Sequence, residues 1–275
     1  MLKKQMIMDK ALELFAQQGF NATSVQQITD HCGISKGAFY LSFKSKDELI
    51  FSIIDHFMLQ HTVKLDCLVK SAKTNDLLFD FYYTSYEFVM KHANFAKFFI
   101  QEIQTFNEEL IGKLSYYDTI HEKIIINLIE RVYGENSDVL KYDLLYCIKS
   151  FISMYVELIL FKNMKLDIYL LAKSLVEKTN ILANNMKLTL ITSNHLQHLN
   201  IENNDTLTKE SISQLLEQKI KEVENSLVKD SLILIRRNLD EENLPSAVVK
   251  GLIENIRNDK SCEWVAYILL QYYQF

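Results

Sequence analysis

Residues 23–49 of this 275-residue chain read TSVQQITDHCGISKGAFYLSFKSKDEL. Thr23 and Gln26 have the spacing of a capping box, in which two side chains satisfy backbone N–H groups at the start of a helix. Gly33 is placed to end that helix, because glycine adopts the left-handed conformation without a Cβ clash. Ser35 is placed to cap a second, short helix. A helix, a glycine-containing turn and a short helix together predict a helix-turn-helix, whose second helix enters the major groove of DNA.

The second of these helices has two different faces. Phe39 and Phe43 fall on the side that is expected to turn toward a core. Four positions fall on the opposite, outward side: Lys36, Gly37, Ala38 and Leu41. Ser45 and Glu48 then repeat the capping-box spacing, which predicts that a longer helix begins near Lys46.

This segment resembles the N-terminal DNA-binding domain of the TetR family of transcriptional repressors. The family pattern is a helix ending in G-F/Y, then T-S/T-V-x-x-I, then G-I/V-S-K-G-x-x-Y-x-x-F-x-S-K-x-x-L. The matching residues are Gly19, Phe20, Thr23, Ser24, Val25, Ile28, Gly33, Ile34, Ser35, Lys36, Gly37, Tyr40, Phe43, Ser45, Lys46 and Leu49. Thr29 and Ser42 depart from the pattern, since the family commonly has Ala and His there. The resemblance covers about the first fifth of the chain.

The resemblance implies a role for each matched polar residue. Lys36 and Gly37 would approach base edges, and the missing side chain of Gly37 would let the backbone come close. The residues that would contact phosphates are Ser24, Ser35, Tyr40, Ser42 and Lys46. Hydroxyl groups, ammonium groups and helix N-termini are all suited to that role. The resemblance further implies a homodimer that binds a palindromic double-stranded DNA operator and is released by a small-molecule effector.

The charge distribution excludes a protein that coats nucleic acid through a generally basic surface. The formal net charge is −5, and residues 1–50 hold six lysines against five carboxylates. DNA binding would therefore depend on a few placed lysines and helix N-termini. The same residues contain no Arg, the commonest reader of guanine, so Lys36 would have to serve if a guanine is read directly.

Composition favours long helices in a reducing compartment. Pro occurs once and Gly six times, which disfavours a turn-rich β architecture. The four cysteines are far apart and form no C-x-x-C pair, so neither disulfides nor a zinc site is predicted. The N-terminus lacks the apolar core of a signal peptide, and even the most apolar stretch, residues 147–161, contains Lys149 and Glu157. We therefore expect a cytoplasmic protein without a membrane span.

The patterning predicts an all-α chain in three parts. These are a helix-turn-helix domain at residues 1–47, a helical ligand-binding and dimerisation domain at 48–186, and a C-terminal helical extension at 187–275 of open role. Within the second part, helical periodicity predicts helices at about 77–91, 95–110, 115–133, 138–162 and 166–186. The resemblance implies that the last two pack against a symmetry mate as a four-helix bundle. The alternative is that their apolar faces belong to the protomer's own core.

Aromatic side chains crowd the second part of the chain. Some are expected to line an apolar ligand cavity between helices, where tyrosine hydroxyls would supply the few polar contacts. The candidates are Tyr82, Tyr86, Phe99, Tyr117 and Tyr155. The effector would then be a small apolar or aromatic molecule. The alternative is that these side chains are core and interface residues of a helical bundle.

Two other classes of function stay open on the sequence. One is a helix-turn-helix protein that acts mainly as a protein-interaction module through its C-terminal extension. The other is an enzyme with a DNA-binding head, which the missing catalytic and phosphate-binding motifs disfavour. His195 and His198 are spaced for a shared helical face, but no carboxylate partner accompanies them. No enzyme activity, cofactor or metal site is therefore predicted.

Overall fold

The computed structural model describes residues 2–71, 76–103, 108–162, 164–192, 195, 209–259, 262–273 and 275. These residues form helices and turns with no strand among them, so the all-α prediction is confirmed. The chain divides into two compact units, residues 1–197 and residues 198–275. The first unit contains both the helix-turn-helix and the helices that follow it, so the predicted three-part division stays a prediction.

The first unit is built from nine α-helices in its described residues. They are α1 (Leu2–Gln18), α2 (Val25–Cys32), α3 (Lys36–Tyr40), α4 (Lys46–Ser71), α5 (Leu77–Lys91), α6 (Ala93–Glu102), α7 (Glu108–Tyr133), α8 (Lys141–Phe161) and α9 (Ile168–Asn185). The predicted helix at 77–91 coincides with α5. The predicted helix at 95–110 ends earlier, at Glu102, and the next one begins earlier, at Glu108.

The start of α2 differs by one residue from the sequence prediction. Ser24 is the N-cap: its hydroxyl accepts from the Gln27 N–H at 3.2 Å, while the Gln27 side chain accepts from the Ser24 N–H at 2.8 Å. Thr23 instead donates its hydroxyl to the Gly19 carbonyl, 2.7 Å away. Two Thr/Ser–Gln pairs with the same spacing overlap here, and the backbone selects the second. Gly33 ends the helix in the left-handed conformation, with φ of 65°, as predicted.

The next two helices begin as side-chain caps predict. The Ser35 hydroxyl accepts from the Ala38 N–H at 3.2 Å and starts α3. The Ser45 hydroxyl accepts from the Glu48 N–H at 3.0 Å and starts α4. The Glu48 carboxylate, however, accepts from the N–H of Lys44 rather than that of Ser45, so the second half of the predicted capping box is displaced by one residue.

A continuous hydrophobic core joins the helix-turn-helix to the helices behind it. Phe39 and Phe43 are fully buried, as the two-faced pattern of the short helix predicts. Phe15 of α1 stacks on Phe98 of α6, with ring centroids 5.5 Å apart. Burying an aromatic side chain of this size contributes about 1.5–3 kcal/mol to stability. The helix-turn-helix is therefore held against α6 by packing rather than by a flexible tether.

Helix α8 is long and apolar enough, by length and composition, to cross a membrane, which the sequence analysis did not expect. In the fold it is a core helix of the first unit: Leu144, Leu145 and Ile148 are completely buried. Its Lys149 is paired with two carboxylates of α7. Only 28% of the most apolar stretch of the helix is buried in the protomer, so these contacts account for part of its apolar composition.

The large apolar side chains of α8 and α9 fall into two groups, one buried in the protomer and one exposed. Ile148, Leu171 and Leu175 face the protomer's own core. Other large apolar side chains of the same two helices are exposed: Met154, Tyr169, Leu170 and Ile181. Leu170 is the most exposed of them, at 62%.

The second unit has a hydrophobic core of its own. Its described helices are α10 (Lys209–Glu222), α11 (Ser226–Glu241), α12 (Ser246–Arg257) and α13 (Glu263–Tyr272). Asn238, almost fully buried, accepts from the Leu244 N–H at 2.8 Å and donates to the Tyr273 hydroxyl at 3.2 Å, so its amide is satisfied on both sides. The core side chains include Leu216, Leu232, Ile235, Ile253 and Leu269. The expectation that the extension is folded is consistent with this core.

Candidate DNA-binding surface and ligand cavity

The outward face of α3 presents the residues that the sequence analysis assigns to DNA. Ser35, Lys36 and Gly37 are exposed at its N-terminus, and Tyr40 is 52% exposed at its end. The Tyr40 ring lies edge-on to Phe39, with centroids 5.4 Å apart, so burial of Phe39 helps to orient it. Ser24 is exposed at the start of α2. Because Ser24 and Ser35 accept hydrogen bonds in their caps, each hydroxyl keeps its own hydrogen to donate.

Gly37 has no structural reason to be glycine within the protein. A Cβ built at this position would come no closer than 3.8 Å to the Ser35 hydroxyl oxygen, which is ordinary van der Waals contact. Glycine inside a helix costs about 0.5–1 kcal/mol relative to alanine. A close approach by a molecule outside the chain is a physical reason to keep a bare backbone there.

Lys46 and Ser42 are the two assigned residues that turn partly inward. The Lys46 ammonium donates to the carbonyl oxygens of Phe20 and Thr23, at 2.8 and 2.9 Å, and lies 4.2 Å from the Phe20 ring centroid. Burial lowers the pKa of this ammonium. An ammonium has three donors, so one is left over for a phosphate. Lys46 therefore ties the turn before α2 to the start of α4. Ser42, two residues after Tyr40, is half-buried, and its hydroxyl lies 3.4 Å from the Ala38 carbonyl oxygen.

A cavity of about 720 Å³ lies among helices α4 to α8 of the first unit. This volume lies within the range of small-molecule sites, about 300–1,000 Å³. Most of its lining is aromatic or aliphatic, including Phe81, Phe88, Phe95, Ile125 and Val156. Such a lining, with a few polar groups, is typical of sites for small organic ligands.

Of the five predicted pocket aromatics, Phe99 lines this cavity and the other four do not. Tyr82, Tyr86 and Tyr117 are completely buried. Their hydroxyl groups bond within the protein, to the Thr179 hydroxyl at 2.8 Å, the Phe151 carbonyl at 3.1 Å and the Asp55 carboxylate at 2.7 Å. A buried tyrosine hydroxyl needs a partner, and these three find one in a neighbouring helix. Tyr155 is partly buried and lies outside the cavity lining.

Three histidines that the sequence analysis did not select line the cavity: His61, His92 and His121. The His61 ring stacks on Phe88, with centroids 4.7 Å apart, and lies edge-on to His121 at 5.2 Å. The Nε2 atom of His61 is buried and has no hydrogen-bond partner. No spacing in the sequence links these residues, because they come from α4, the α5–α6 junction and α7.

The histidines of the cavity are held neutral by their surroundings. Removal from bulk water is the largest cause in each case: it lowers the pKa of His61 well below its usual value, that of His121 to about 4, and that of His92 in the same direction. The Thr62 hydroxyl donates to the Met58 carbonyl at 2.8 Å and lies 2.9 Å from Nε2 of His121. Because the Thr62 hydrogen is already used, His121 must donate from Nε2.

At the cavity wall, one lysine is paired with a buried carboxylate and with an exposed one. Lys149 of α8 bonds both carboxylate oxygens of Asp118, at 2.9 and 3.0 Å, and Oε1 of Glu122, at 2.5 Å. Glu122 is only 2% exposed. Burial, the largest single cause, lowers the pKa of Lys149, but the hydrogen bonds that its ammonium donates to the two carboxylates raise it, and the net effect is a raised pKa.

Within the part of the chain that the structure describes, no group of three residues is placed to hold a metal ion. His195 accepts from the Thr192 N–H at 3.2 Å through Nδ1. His198, which the sequence places three residues after His195, lies outside the described residues.

Helix α4 connects the candidate DNA-binding surface to the cavity. Its first turn carries Lys46, and its later turns carry Met58, His61 and Leu65 of the cavity lining. Two hydrogen bonds join it to α7, from Tyr117 to Asp55 and between His121 and Thr62. A change in the cavity therefore acts on the same helix that begins at the helix-turn-helix.

Comparisons with known proteins agree with this geometry. Residues 7–53 match the family model described as bacterial regulatory proteins, tetR family. The chain is 27% identical over 284 residues to YerO, an uncharacterised HTH-type transcriptional regulator of Bacillus subtilis (strain 168). That alignment covers 99% of this chain and 96% of YerO, so it includes the C-terminal unit.

Two solved structures share the fold of the first part of the chain. The FadR regulator of Bacillus subtilis, solved in complex with stearoyl-CoA, is 21% identical, with a TM-score of 0.56, over 64% of this chain and 96% of its own. The ketosteroid regulator KstR2 of Mycobacterium tuberculosis is 18% identical, with a TM-score of 0.54, over 64% of this chain and 92% of its own. Residues 7–53 are thus a tetR-family helix-turn-helix domain, and the chain is similar over almost its whole length to an HTH-type transcriptional regulator.

Proposed function

We propose that this protein is a homodimeric, ligand-responsive repressor that binds a palindromic operator. The observation that carries the proposal is the outward face of α3, where Lys36 and a sterically unneeded Gly37 stand beside capped helix N-termini. One such helix contacts too few base pairs for operator specificity, so two heads are needed, about 34 Å apart for successive major grooves.

In this proposal Lys36 contacts the base edges directly, and Gly37 allows the backbone of α3 to come close to the DNA. Ser24, Ser35 and Tyr40 contact phosphates through their hydroxyl groups. Ser42 and Lys46 act on phosphates with less reach, because both turn partly inward. Lys46 has a second task in holding the turn before α2 against α4.

The dimer in this proposal forms through α8 and α9. The exposed Met154, Tyr169, Leu170 and Ile181 support it, because large apolar side chains that cluster on a surface commonly mark an interface. Covering them with the same surface of a second copy would give the two-fold symmetry that a palindrome requires.

Release from DNA follows from ligand binding in the cavity. A ligand that fits one arrangement of α4 and α7 better than another shifts the population toward that arrangement. Since α4 starts at the helix-turn-helix, the shift changes the separation of the two heads. Two neighbours support a ligand with a large apolar part: the FadR structure contains stearoyl-CoA, which has a long acyl chain, and KstR2 is described as a ketosteroid regulator. A cytoplasmic location accords with access to DNA.

The test is binding of purified protein to a labelled fragment of its own upstream region, at fixed salt, with excess competitor DNA. Lys36→Ala should abolish the specific complex, because losing one base contact of this kind costs about 1–3 kcal/mol in each head. Lys91→Ala, which removes an exposed lysine from α5 and so makes the same charge change, is the control. Equal binding by both variants would contradict the assignment of α3 as the reading helix.

A further inference from the structure

We propose that the cavity selects an uncharged amphiphile, with an extended apolar body and a hydroxyl group that hydrogen-bonds the His61 imidazole. This inference rests on the ligand-responsive function proposed above and adds the chemical class of the ligand.

The apolar body is required by the walls of the cavity. Side chains from five helices supply them, including Leu65 of α4, Phe88 of α5, Phe99 of α6, Ile125 of α7 and Val156 of α8. A polar molecule placed against these walls would lose its hydrogen bonds to water without replacing them. An apolar body instead gains from each surface that it removes from water.

The polar end of the ligand is set by His61. Its Nε2 atom is buried without a partner, which is uncommon for a polar atom in a folded protein. The side chain is nevertheless partly accessible, because it lines the cavity. Its ring is held between Phe88 and His121 by ring contacts, which tolerate a half-turn about χ2 that exchanges nitrogen and carbon positions. A ligand oxygen in the cavity can therefore satisfy an imidazole that the protein leaves unsatisfied.

The charges around the cavity disfavour an ionic head group. An anion beside Lys149 would have to displace Asp118 or Glu122, both of which already hold the ammonium. A cation beside Asp118 would compete with the same ammonium, which already binds both oxygens of that carboxylate. Glu157 and Lys162, the other ionic side chains described in the lining, are exposed to solvent. The buried polar groups left to meet a ligand are thus neutral.

A hydroxyl group suits His61 better than other neutral groups. A neutral imidazole has one donor and one acceptor nitrogen, and a hydroxyl group both donates and accepts. It can therefore pair with whichever nitrogen faces the cavity. A carbonyl or ether oxygen can only accept and fits one of the two cases.

His61 is also well placed to transmit binding. The next residue, Thr62, holds the contact from α4 to His121 of α7. A ligand that engages His61 changes the packing of its ring against His121, 5.2 Å away. The recognition contact and the link between the two helices are therefore adjacent.

The experiment uses the full-length protein without DNA. 1,6-Diphenylhexatriene, which fluoresces in apolar surroundings and has no polar group, reports occupation of the cavity. Decan-1-ol, decanoate and decylammonium are compared as competitors at pH 8, each below its aggregation concentration. We expect decan-1-ol to displace the probe at about tenfold lower concentration than either ion, as one lost hydrogen bond and a buried charge require. Equal or better displacement by an ion would overturn the proposal, as would failure of the probe to bind.

Two variants on the same helix test the contact itself. His61→Phe keeps a ring for stacking on Phe88 but removes both nitrogens, so decan-1-ol should bind about tenfold more weakly while the probe binds as before. His56→Phe makes the same change outside the cavity lining and should leave both values unaltered. Unchanged decan-1-ol affinity in His61→Phe would overturn the assignment. The two proposals can fail separately. If the wild-type protein shows no specific DNA binding in the band-shift assay, the proposed function is contradicted, while the result of the displacement experiment still decides the ligand class.

Discussion

At Gly37, an added methyl group would meet only the Ser35 hydroxyl oxygen, in ordinary contact. At His61, a buried nitrogen has no partner. Alanine would be the better helix former at Gly37, and an unpartnered buried nitrogen such as that of His61 costs stability. At the residue scale, such positions are expected where a protein meets a molecule that is not part of the chain.

Gly37→Ala should separate stability from DNA binding. Alanine is the better helix former and has space here, so the free energy of unfolding should rise by about 0.5–1 kcal/mol. Specific DNA affinity should fall at least tenfold, because the new methyl group holds the backbone away from the base edges. Urea unfolding and the band-shift assay measure the two effects. An unchanged DNA affinity would show that nothing approaches this backbone closely.

The sequence predicted the local structure of the helix-turn-helix better than it predicted which side chains meet between distant helices. Helix caps and turns are local, so Gly33, Ser35 and Ser45 were recognisable from their neighbours, whereas the cap at Ser24 and the backbone partner of Glu48 each differ by one position. The cavity is made by contacts between residues distant in the chain. Tyr82 and Tyr117 could not be distinguished from lining residues, because their partners, Thr179 and Asp55, lie far away in sequence.

Among the helices, α4 is the one on which the proposed coupling between the cavity and the DNA-binding surface depends. It begins beside the DNA-binding surface, passes the cavity and is bonded to α7 through Asp55 and Thr62. The prediction of one long helix from Lys46 was confirmed. Its hydrogen bonds to α7 could not be foreseen, because each requires knowing which turn of α7 lies opposite.

Protonation of the buried His121 should destabilise the folded protein in acid. The pKa of His121 is about 4 in the folded protein, against a usual value of 6.5, so only the unfolded chain binds this proton between those values. The contribution of His121 to the free energy of unfolding is therefore fully present above pH 6.5 and falls as the pH is lowered toward 4. The loss between pH 7 and pH 5 is about 2 kcal/mol.

His121→Gln tests that pH dependence. The glutamine amide can still donate to Thr62 but does not titrate. The variant should lose less stability than the wild type between pH 7 and pH 5 in urea unfolding, with His61 and His92 supplying the remaining loss. The same pH dependence in both proteins would contradict this explanation, because it would mean that folding does not lower the pKa of His121.

In the molecule as a whole, the features that carry the proposed function lie in the first of the two compact units. The helix-turn-helix, the cavity and the exposed faces of α8 and α9 all belong to residues 1–197. The second unit has its own core, and the alignment with YerO extends across it. The composition of the extension correctly indicated a folded segment, but it contains no motif that would indicate a task.

A chain that ends at residue 197 should therefore still dimerise and bind the operator. Sedimentation and the band-shift assay, compared with the full-length protein, measure both properties. Monomeric truncated protein, or protein without specific DNA binding, would instead favour an interaction role for the C-terminal unit.

The most direct test of the central claim is nuclease protection of the protein's own upstream DNA, followed by selection of bound fragments from the whole genome. We expect two protected half-sites related by two-fold symmetry, with centres about one helical turn apart or a multiple of it. Protection should disappear in Lys36→Ala and persist in Lys91→Ala. The absence of any specifically protected fragment, upstream or genome-wide, would contradict the claim that α3 reads DNA.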